Sequence, residues 1–103
     1  MPSGGDGLAG RVILVTGASS GLGAHFAVML AARGARLVLG ARRRPLLADV
    51  ESAIVAAGGQ AISVALDVTD PASVAAAYDV AEQAYGPVDT VIANAGTNVE
   101  GPA

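Results

Sequence analysis

The feature that most constrains this chain is residues 12–23, where an apolar run passes into a glycine-rich loop and then into a helical pattern. Val12 to Val15 are all aliphatic, and glycines stand at positions 17, 21 and 23. A continuous apolar run is typical of a strand buried on both faces, and glycines let the backbone turn tightly and approach a ligand closely. The N–H groups of the first helical turn would then face an anion, with the positive end of the helix dipole behind them. The segment therefore predicts a strand, a phosphate-binding loop and a helix.

The rest of the chain alternates between helical and strand patterns. We expect helices over residues 21–33 and 45–57, strands over 36–41, 61–66 and 89–93, and a third helix that begins at Asp70-Pro71 and ends at Gly86-Pro87. Asp suits a helix N-cap and Pro suits the first helical position. Strands that alternate with helices indicate βαβ units and a parallel sheet.

The predicted helices differ in how their apolar residues are arranged. The first carries large apolar residues on one stripe, together with an Ala-rich face that would allow close approach to the sheet, and His25 lies off that stripe as a surface residue. The other two helices are expected to contribute core residues from one face each. The stripes of the three helices are Leu22, Phe26, Met29 and Leu30; Leu47, Val50, Ile54 and Ala57; and Val74, Tyr78, Ala81 and Tyr85.

The loop spacing departs from G-x-G-x-x-G and reads Thr16-Gly17-x-x-x-Gly21-x-Gly23. This pattern resembles the nucleotide loop of the short-chain dehydrogenases/reductases, T-G-x-x-x-G-x-G, and the resemblance continues through the chain after the first ten residues. It implies an α/β fold, a Rossmann-type doubly wound parallel sheet. Four strands in the order 3-2-1-4 and three intervening helices would form an incomplete domain. Residues 1–10 would be a flexible N-terminal segment and residues 11–103 the N-terminal part of an NAD(P)-binding Rossmann domain.

The resemblance also assigns roles within the loop. In the family this loop binds the pyrophosphate and the adenosine ribose of the cofactor. That role carries over to Gly17, Ser19, Ser20, Gly21, Leu22 and Gly23. The alternative is a tight turn whose serines only cap the helix.

The end of the second predicted strand bears on which dinucleotide is bound. An Asp or Glu in this region binds the ribose 2′-hydroxyl of NAD, whereas an Arg accommodates the 2′-phosphate of NADP. Here Ala41 occupies the position that is Asp in NAD-preferring family members, and Arg42 and Arg43 follow it. A guanidinium can bind phosphate through paired hydrogen bonds, so NADP(H) is favoured over NAD(H). The alternative is that the arginines are only solvated residues ahead of Pro45, which is the expected role of Arg44.

Two further matches to the family lie at the ends of the third and fourth strands. In the family an Asp-Val pair receives the adenine ring, and this role carries over to Asp67 and Val68. The alternative is that Asp67 only caps the turn before Asp70. The family motif N-N-A-G is matched by Asn94, Ala95 and Gly96, with Ala93 in place of the first Asn, and this turn would lie beside the cofactor.

The family's catalytic residues have no counterpart in this sequence. The family uses an upstream Ser, a Tyr-x-x-x-Lys helix and a further Asn, but this chain contains no Lys, and Tyr78 and Tyr85 are followed four residues later by Glu82 and Asp89. We therefore expect both tyrosines to be packing residues and the chain alone to be inactive. The complete enzyme would transfer hydride between the nicotinamide and a carbonyl or alcohol substrate.

Two other functions are compatible with parts of this sequence. A stand-alone, non-catalytic NADP-binding or regulatory module would need only the residues present. A methyltransferase also uses a glycine loop after its first strand, but it usually has an acidic residue at the end of the second. Ala41 and Arg42 oppose that assignment.

Composition excludes several other classes. The chain has no Cys, which excludes disulfides and thiolate metal sites, and no cluster of residues suggests another metal site. Its net charge is −3 and its only basic tract is Arg42 to Arg44, so nucleic acid is not an expected partner. No signal peptide or long apolar run is present, so we expect a cytoplasmic protein without membrane contact. The family resemblance implies that the complete enzyme is a homo-oligomer. The apolar fourth strand would form an exposed sheet edge, which predicts association or aggregation of the chain alone.

Overall fold

A computed structural model of the chain describes residues 8–19 and 21–93. Four strands alternate with three helices, and a short 3₁₀ helix, Arg44–Leu47, precedes the second helix. The strands are β1 (Val12–Thr16), β2 (Arg36–Ala41), β3 (Gln60–Ala65) and β4 (Thr90–Ala93). The helices are α1 (Gly21–Ala32), α2 (Ala48–Ala56) and α3 (Pro71–Ala84).

The four strands form one parallel sheet in the order β3-β2-β1-β4, which confirms the predicted order 3-2-1-4. The predicted bounds of β2 coincide with the observed ones, whereas β3 begins one residue earlier and β4 one residue later than expected. The fold is a Rossmann-type doubly wound parallel sheet, with α1 and α2 on one face and α3 on the other.

The core lies on both faces of the sheet. Along β1, Ile13 and Val15 point into one apolar cluster, while Val12 and Leu14 point into the other, as the two-residue period of a strand requires. Residues of α1 and α2 complete the first cluster, and residues of α3 complete the second. All five residues of β1 are therefore buried, which explains its unbroken apolar sequence.

Helix α1 packs through its small residues and not through the stripe of large ones. Its buried residues are Gly23, Ala27 and Ala31, whereas Leu22 and Met29 are 51% and 44% exposed. The expected Ala-rich inward face is thus confirmed, but the stripe of large residues is not the buried face. The reason is steric, because small side chains let the helix axis approach the sheet more closely than Leu or Met would.

Helices α2 and α3 use the expected faces. Leu47 and Ile54 are buried in the first cluster, although Ala57 is exposed and lies just past the end of α2, where Gly58 has a left-handed φ of +90°. The Asp70 carboxylate accepts a hydrogen bond from the N–H of Ala72 at 3.1 Å and caps α3 as predicted. The remaining α3 stripe residues, Val74, Tyr78, Ala81 and Tyr85, all belong to or pack against the second cluster.

The amino-terminal end of the sheet is closed by short turns. Leu8 packs against the first cluster, and the N–H of Gly10 donates to the carbonyl of Gly34 at 3.0 Å. Of the segment predicted to be flexible, residues 1–10, only residues 8–10 are described, and residues 1–7 lie outside the described residues. Within the described part of the chain, no helix is long and apolar enough to cross a membrane.

Strand β4 is attached to β1 by a carboxylate as well as by the sheet. Asp89, just before β4, accepts a hydrogen bond from the N–H of Val12 at 2.9 Å, and its own N–H donates to the Val12 carbonyl at 2.9 Å. Among the described strands, β4 pairs only with β1, and Val91 is 45% exposed. Association of the chain with other copies through the exposed β4 edge remains a prediction.

Candidate functional site

The register of the sheet brings the carboxyl ends of all four strands to one edge. Thr16 of β1 pairs with Gly40 of β2 and with Ala93 of β4, and Ala41 of β2 pairs with Ala65 of β3. Ligands of open α/β sheets bind outside this edge, at the point where the strand order reverses. In this chain the reversal falls between β1 and β4.

The loop after β1 is fixed to the neighbouring strand. Gly17 has a φ of +66°, a left-handed conformation that favours glycine, and Ala18 is fully buried. The N–H of Ala18 donates to the carbonyl of Gly40 at 3.1 Å, which holds the loop against β2. Ser19 is exposed at the tip of the loop, and Ser20 lies outside the described residues.

Helix α1 begins at Gly21, directly after this loop. Its first turn contains no acidic side chain, so no carboxylate of that turn neutralises the positive end of the helix dipole. Gly21 and Leu22 are exposed, whereas Gly23 is buried against the sheet. A Cβ built on Gly21 would meet no heavy atom within 4 Å in the described part of the chain, so packing there does not require a glycine.

The two predicted arginines emerge at the same edge. Ala41 is buried as the last residue of β2, and the side chains of Arg42 and Arg43 that follow are both exposed. Arg43 is extended, with φ −123° and ψ 113°, and it precedes the 3₁₀ helix. Arg44 lines a separate cleft of about 410 Å³, together with Glu51 and Ser63. Arg44 thus lines a cleft with Glu51 and Ser63, whereas Arg42 and Arg43 follow directly after the end of β2.

Asp67 forms a tight local network after β3. Its Oδ1 accepts hydrogen bonds from the N–H of Thr69 at 2.9 Å and from the Thr69 hydroxyl at 2.6 Å, and its own N–H donates to Ser73 Oγ at 2.9 Å. The hydrogen bonds from Thr69 lower the pKa of Asp67, and the positive charge of Arg42 lowers it further. The capping role that the sequence allowed is thus present in the structure, and Val68 beside it is 54% exposed.

Three further predicted residues follow β4 in the sequence. Asn94, Ala95 and Gly96 lie outside the described residues, immediately after β4. The structure therefore brings together Gly17, Ser19, Gly21, Leu22, Arg42, Arg43, Asp67 and Val68 at one edge of the sheet. Gly23 lies below them in the packed face of α1.

Three residues near this edge were missed by the sequence interpretation. Thr69 and Ser73 hold Asp67 in place, and Gly40 makes room for Leu66, whose Cδ2 would lie 2.7 Å from a Cβ at position 40. Two sequence signals could have identified these contacts. Asp67 is followed two residues later by Thr69, which is typical of a side-chain-capped turn, and Gly40 is a glycine inside a strand, which often marks a close approach.

The tyrosines have the packing role that was predicted. Tyr78 and Tyr85 pack against the second apolar cluster on the face covered by α3. Burial raises the pKa of Tyr85, and the negative charge of Glu51 adds to this effect while Arg36 opposes it. No group of three or more His, Cys, Asp or Glu residues that could hold a metal ion occurs in residues 8–19 and 21–93.

The fold defines a Rossmann-type α/β protein, and comparison with known proteins gives the family. The sequence profile of the short chain dehydrogenase family matches residues 11–103. The chain therefore belongs to the short-chain dehydrogenases.

Relatives and solved structures agree with this assignment. The chain is 47% identical over 92 residues to cis-4-hydroxycyclohexanecarboxylate dehydrogenase of Sinomonas cyclohexanicum, a match that covers 89% of this chain and 36% of the relative. It is 39% identical over 94 residues to ketoacyl reductase HetN of a Nostoc species, with 91% and 33% covered. The chain thus spans about a third of the length of these curated relatives.

Two crystal structures share the architecture. A metagenomic short-chain oxidoreductase in complex with NADP has a TM-score of 0.76 and 45% identity, over 82% of this chain and 38% of that one. Hydroxysteroid dehydrogenase from Escherichia coli has a TM-score of 0.80 and 30% identity, over 84% of this chain and 37% of that one.

Proposed function

We propose that this chain is the N-terminal, cofactor-binding part of an NADP(H)-dependent short-chain oxidoreductase, with residues 11–103 forming the first part of its NAD(P)-binding domain. The observation that carries the proposal is the convergence at one sheet edge of a glycine loop, a helix N-terminus without acidic residues and two exposed arginines. The NADP complex of the metagenomic oxidoreductase, 45% identical to this chain, supports it.

The residues at the edge fit the chemical parts of NADP(H). The loop from Gly17 to Gly23, with Ser19 and Ser20, would hold the pyrophosphate and the adenosine ribose through backbone N–H groups and hydroxyls. Arg42 and Arg43 would bind the 2′-phosphate, since no carboxylate stands at Ala41 to repel it. Asp67 and Val68 would receive the adenine ring, and the turn of Asn94, Ala95 and Gly96 would lie beside the cofactor.

The bound cofactor would donate or accept the hydride, and the residues of this chain would bind and orient the cofactor. The complete enzyme would act on a carbonyl or alcohol substrate. The sequence contains six Arg and no Lys, so the chain lacks the Tyr-x-x-x-Lys pair that the family uses to move the proton. We infer that these 103 residues alone bind cofactor without turning over substrate. A homo-oligomeric state for the complete enzyme and a cytoplasmic location belong to the same proposal and rest on the sequence.

The role of Arg42 can be tested by binding measurements on the full 103-residue chain, with circular dichroism to verify its fold. We expect calorimetry to show tighter binding of NADP⁺ than of NAD⁺. Arg42→Ala should weaken NADP⁺ binding about tenfold, since a hydrogen bond to a charged group contributes about 1.5–3 kcal/mol and this side chain is exposed. Binding of NAD⁺ should change little, because it has no 2′-phosphate.

Arg33→Ala is the matched control for this experiment. Arg33 is also exposed and follows α1 at the opposite end of the sheet, so its loss gives the same change of net charge away from the site. Equal effects of the two substitutions would contradict the role of Arg42. A folded chain that binds neither dinucleotide would overturn the whole proposal, and NADPH oxidation with ketones or aldehydes would overturn the inactivity.

A further inference from the structure

The end of β3 lies directly against the end of β2. Ala41 pairs with Ala65, and the N–H of Leu66 donates to the carbonyl of Ala41 at 2.8 Å. The buried side chain of Leu66 packs over Gly40, where the absence of a Cβ permits the approach. Arg42 and Asp67, the next residue of each segment, are therefore brought to the same part of the edge although they are distant in sequence.

The carboxylate of Asp67 has a defined place in this arrangement. Its Oδ1 receives both the N–H and the hydroxyl of Thr69, and the Asp67 backbone is tied to Ser73 of α3. Hydrogen bonds of this kind stabilise the ionised form. The Asp67 carboxylate is thus held by Thr69, and the positive charge of Arg42 at the end of the neighbouring strand also lowers its pKa.

We propose that Asp67 is a specificity-determining residue whose carboxylate offsets the charge of Arg42 and so limits the preference of this site for NADP(H) over NAD(H). This inference rests on the proposed function. A 2′-phosphate that binds beside Arg42 meets the negative charge of Asp67 as well, and the two like charges repel each other. The neutral 2′-hydroxyl of NAD(H) meets no such repulsion. Asp67 therefore opposes the discrimination that Arg42 provides.

Asp67→Asn tests this inference, because Asn removes the charge but keeps a side-chain oxygen that can accept from Thr69. The probes are 2′,5′-ADP and 5′-AMP, which differ only in the 2′-phosphate. We expect the ratio of their affinities to rise in favour of 2′,5′-ADP by about threefold at low salt, as for an exposed charge pair. The rise should shrink at about 1 M salt, where charges are screened beyond roughly 3 Å.

Asp70→Asn is the matched control. It removes the same charge three residues later, and Asn is as good an N-cap as Asp, so α3 keeps its cap. A role of Asp67 confined to the turn or to the adenine ring would change both affinities by one factor and leave their ratio unchanged. The expected result is a higher ratio for Asp67→Asn and an unchanged ratio for Asp70→Asn.

The possible failures are distinguishable. Absence of binding of both probes to the folded wild-type chain would refute the proposed function. Binding by the wild type with the same ratio in Asp67→Asn would refute only the present inference. A ratio that falls in Asp67→Asn would also refute it, since the carboxylate would then favour the 2′-phosphate.

Discussion

Gly40 offers a test of how the site edge is held together. It lies near the end of β2, and its φ is not in the left-handed region, so its conformation does not demand a glycine. Packing does, because a Cβ at position 40 would lie 2.7 Å from Cδ2 and 3.2 Å from Cβ of Leu66. Carbon atoms normally approach to about 3.5–4.0 Å. Gly40→Ala must therefore displace Leu66.

The cost of this displacement can be derived from the surroundings of Leu66. The side chain is only 4% exposed and belongs to the second apolar cluster, so its displacement disturbs buried neighbours. Overpacking of this kind costs about 1–3 kcal/mol. Replacing glycine by alanine in a strand returns about 0.5–1 kcal/mol through backbone entropy. The expected net loss in the free energy of unfolding is therefore about 1 kcal/mol, within a range of about 0–2.5 kcal/mol.

Urea denaturation followed by circular dichroism would measure the effect, and thermal unfolding should show a Tm lower by about 4–8 °C for each kcal/mol lost. Gly21→Ala is the control, because a Cβ at Gly21 would meet no described atom within 4 Å. Its stability should be unchanged or slightly raised, since Ala is the better helix former. A Gly40→Ala variant that is more stable than the wild type would refute the packing argument.

Two other perturbations test the contact between β1 and β4 and the burial of Tyr85 beside α3. Asp89→Ala removes the acceptor of the buried Val12 N–H and should lower the free energy of unfolding by about 1–3 kcal/mol in urea titrations, whereas Asp89→Asn, which keeps an oxygen acceptor, should cost less. Equal losses would show that the hydrogen bond is not responsible. The raised pKa of Tyr85 means that the folded state holds this proton more tightly than the unfolded chain, so its contribution to stability is present below about pH 10 and is lost as the pH rises further. The stability of Tyr85→Phe should therefore fall less steeply than that of the wild type above pH 10, and parallel pH profiles would contradict this.

The sheet could be predicted from the sequence because its strands are short, apolar and regularly separated. The bounds of β2 and the order of all four strands were predicted correctly, since glycine and proline mark the helix ends and parallel βαβ units leave few topologies. The face of α1 was harder to predict. A hydrophobicity pattern favours Leu22 and Met29 as core residues, but the sheet selects Ala27 and Ala31 because only small residues permit close packing.

The candidate site was predictable to a different extent. Motifs identified the loop and the arginines, but no pattern shows that Leu66 lies over Gly40 or that Thr69 holds Asp67, because these contacts depend on register and on side-chain geometry. Register is determined by the whole sheet, and residues far apart in sequence meet only after it has formed. The interaction between Arg42 and Asp67 therefore required the structure.

The positions of these contacts separate stability from selectivity. Asp89 lies just before β4, and Tyr85 lies just after the last residue of α3. Arg42 and Asp67, in contrast, lie beyond the carboxyl ends of β2 and β3. Exposed charges at strand ends can change with little effect on the core, since surface substitutions usually alter stability by less than about 0.5 kcal/mol. Gly40 is the exception, because it lies two residues before Arg42 and also packs against the core through Leu66. A substitution there should disturb both properties, while one at Arg42 should disturb selectivity alone.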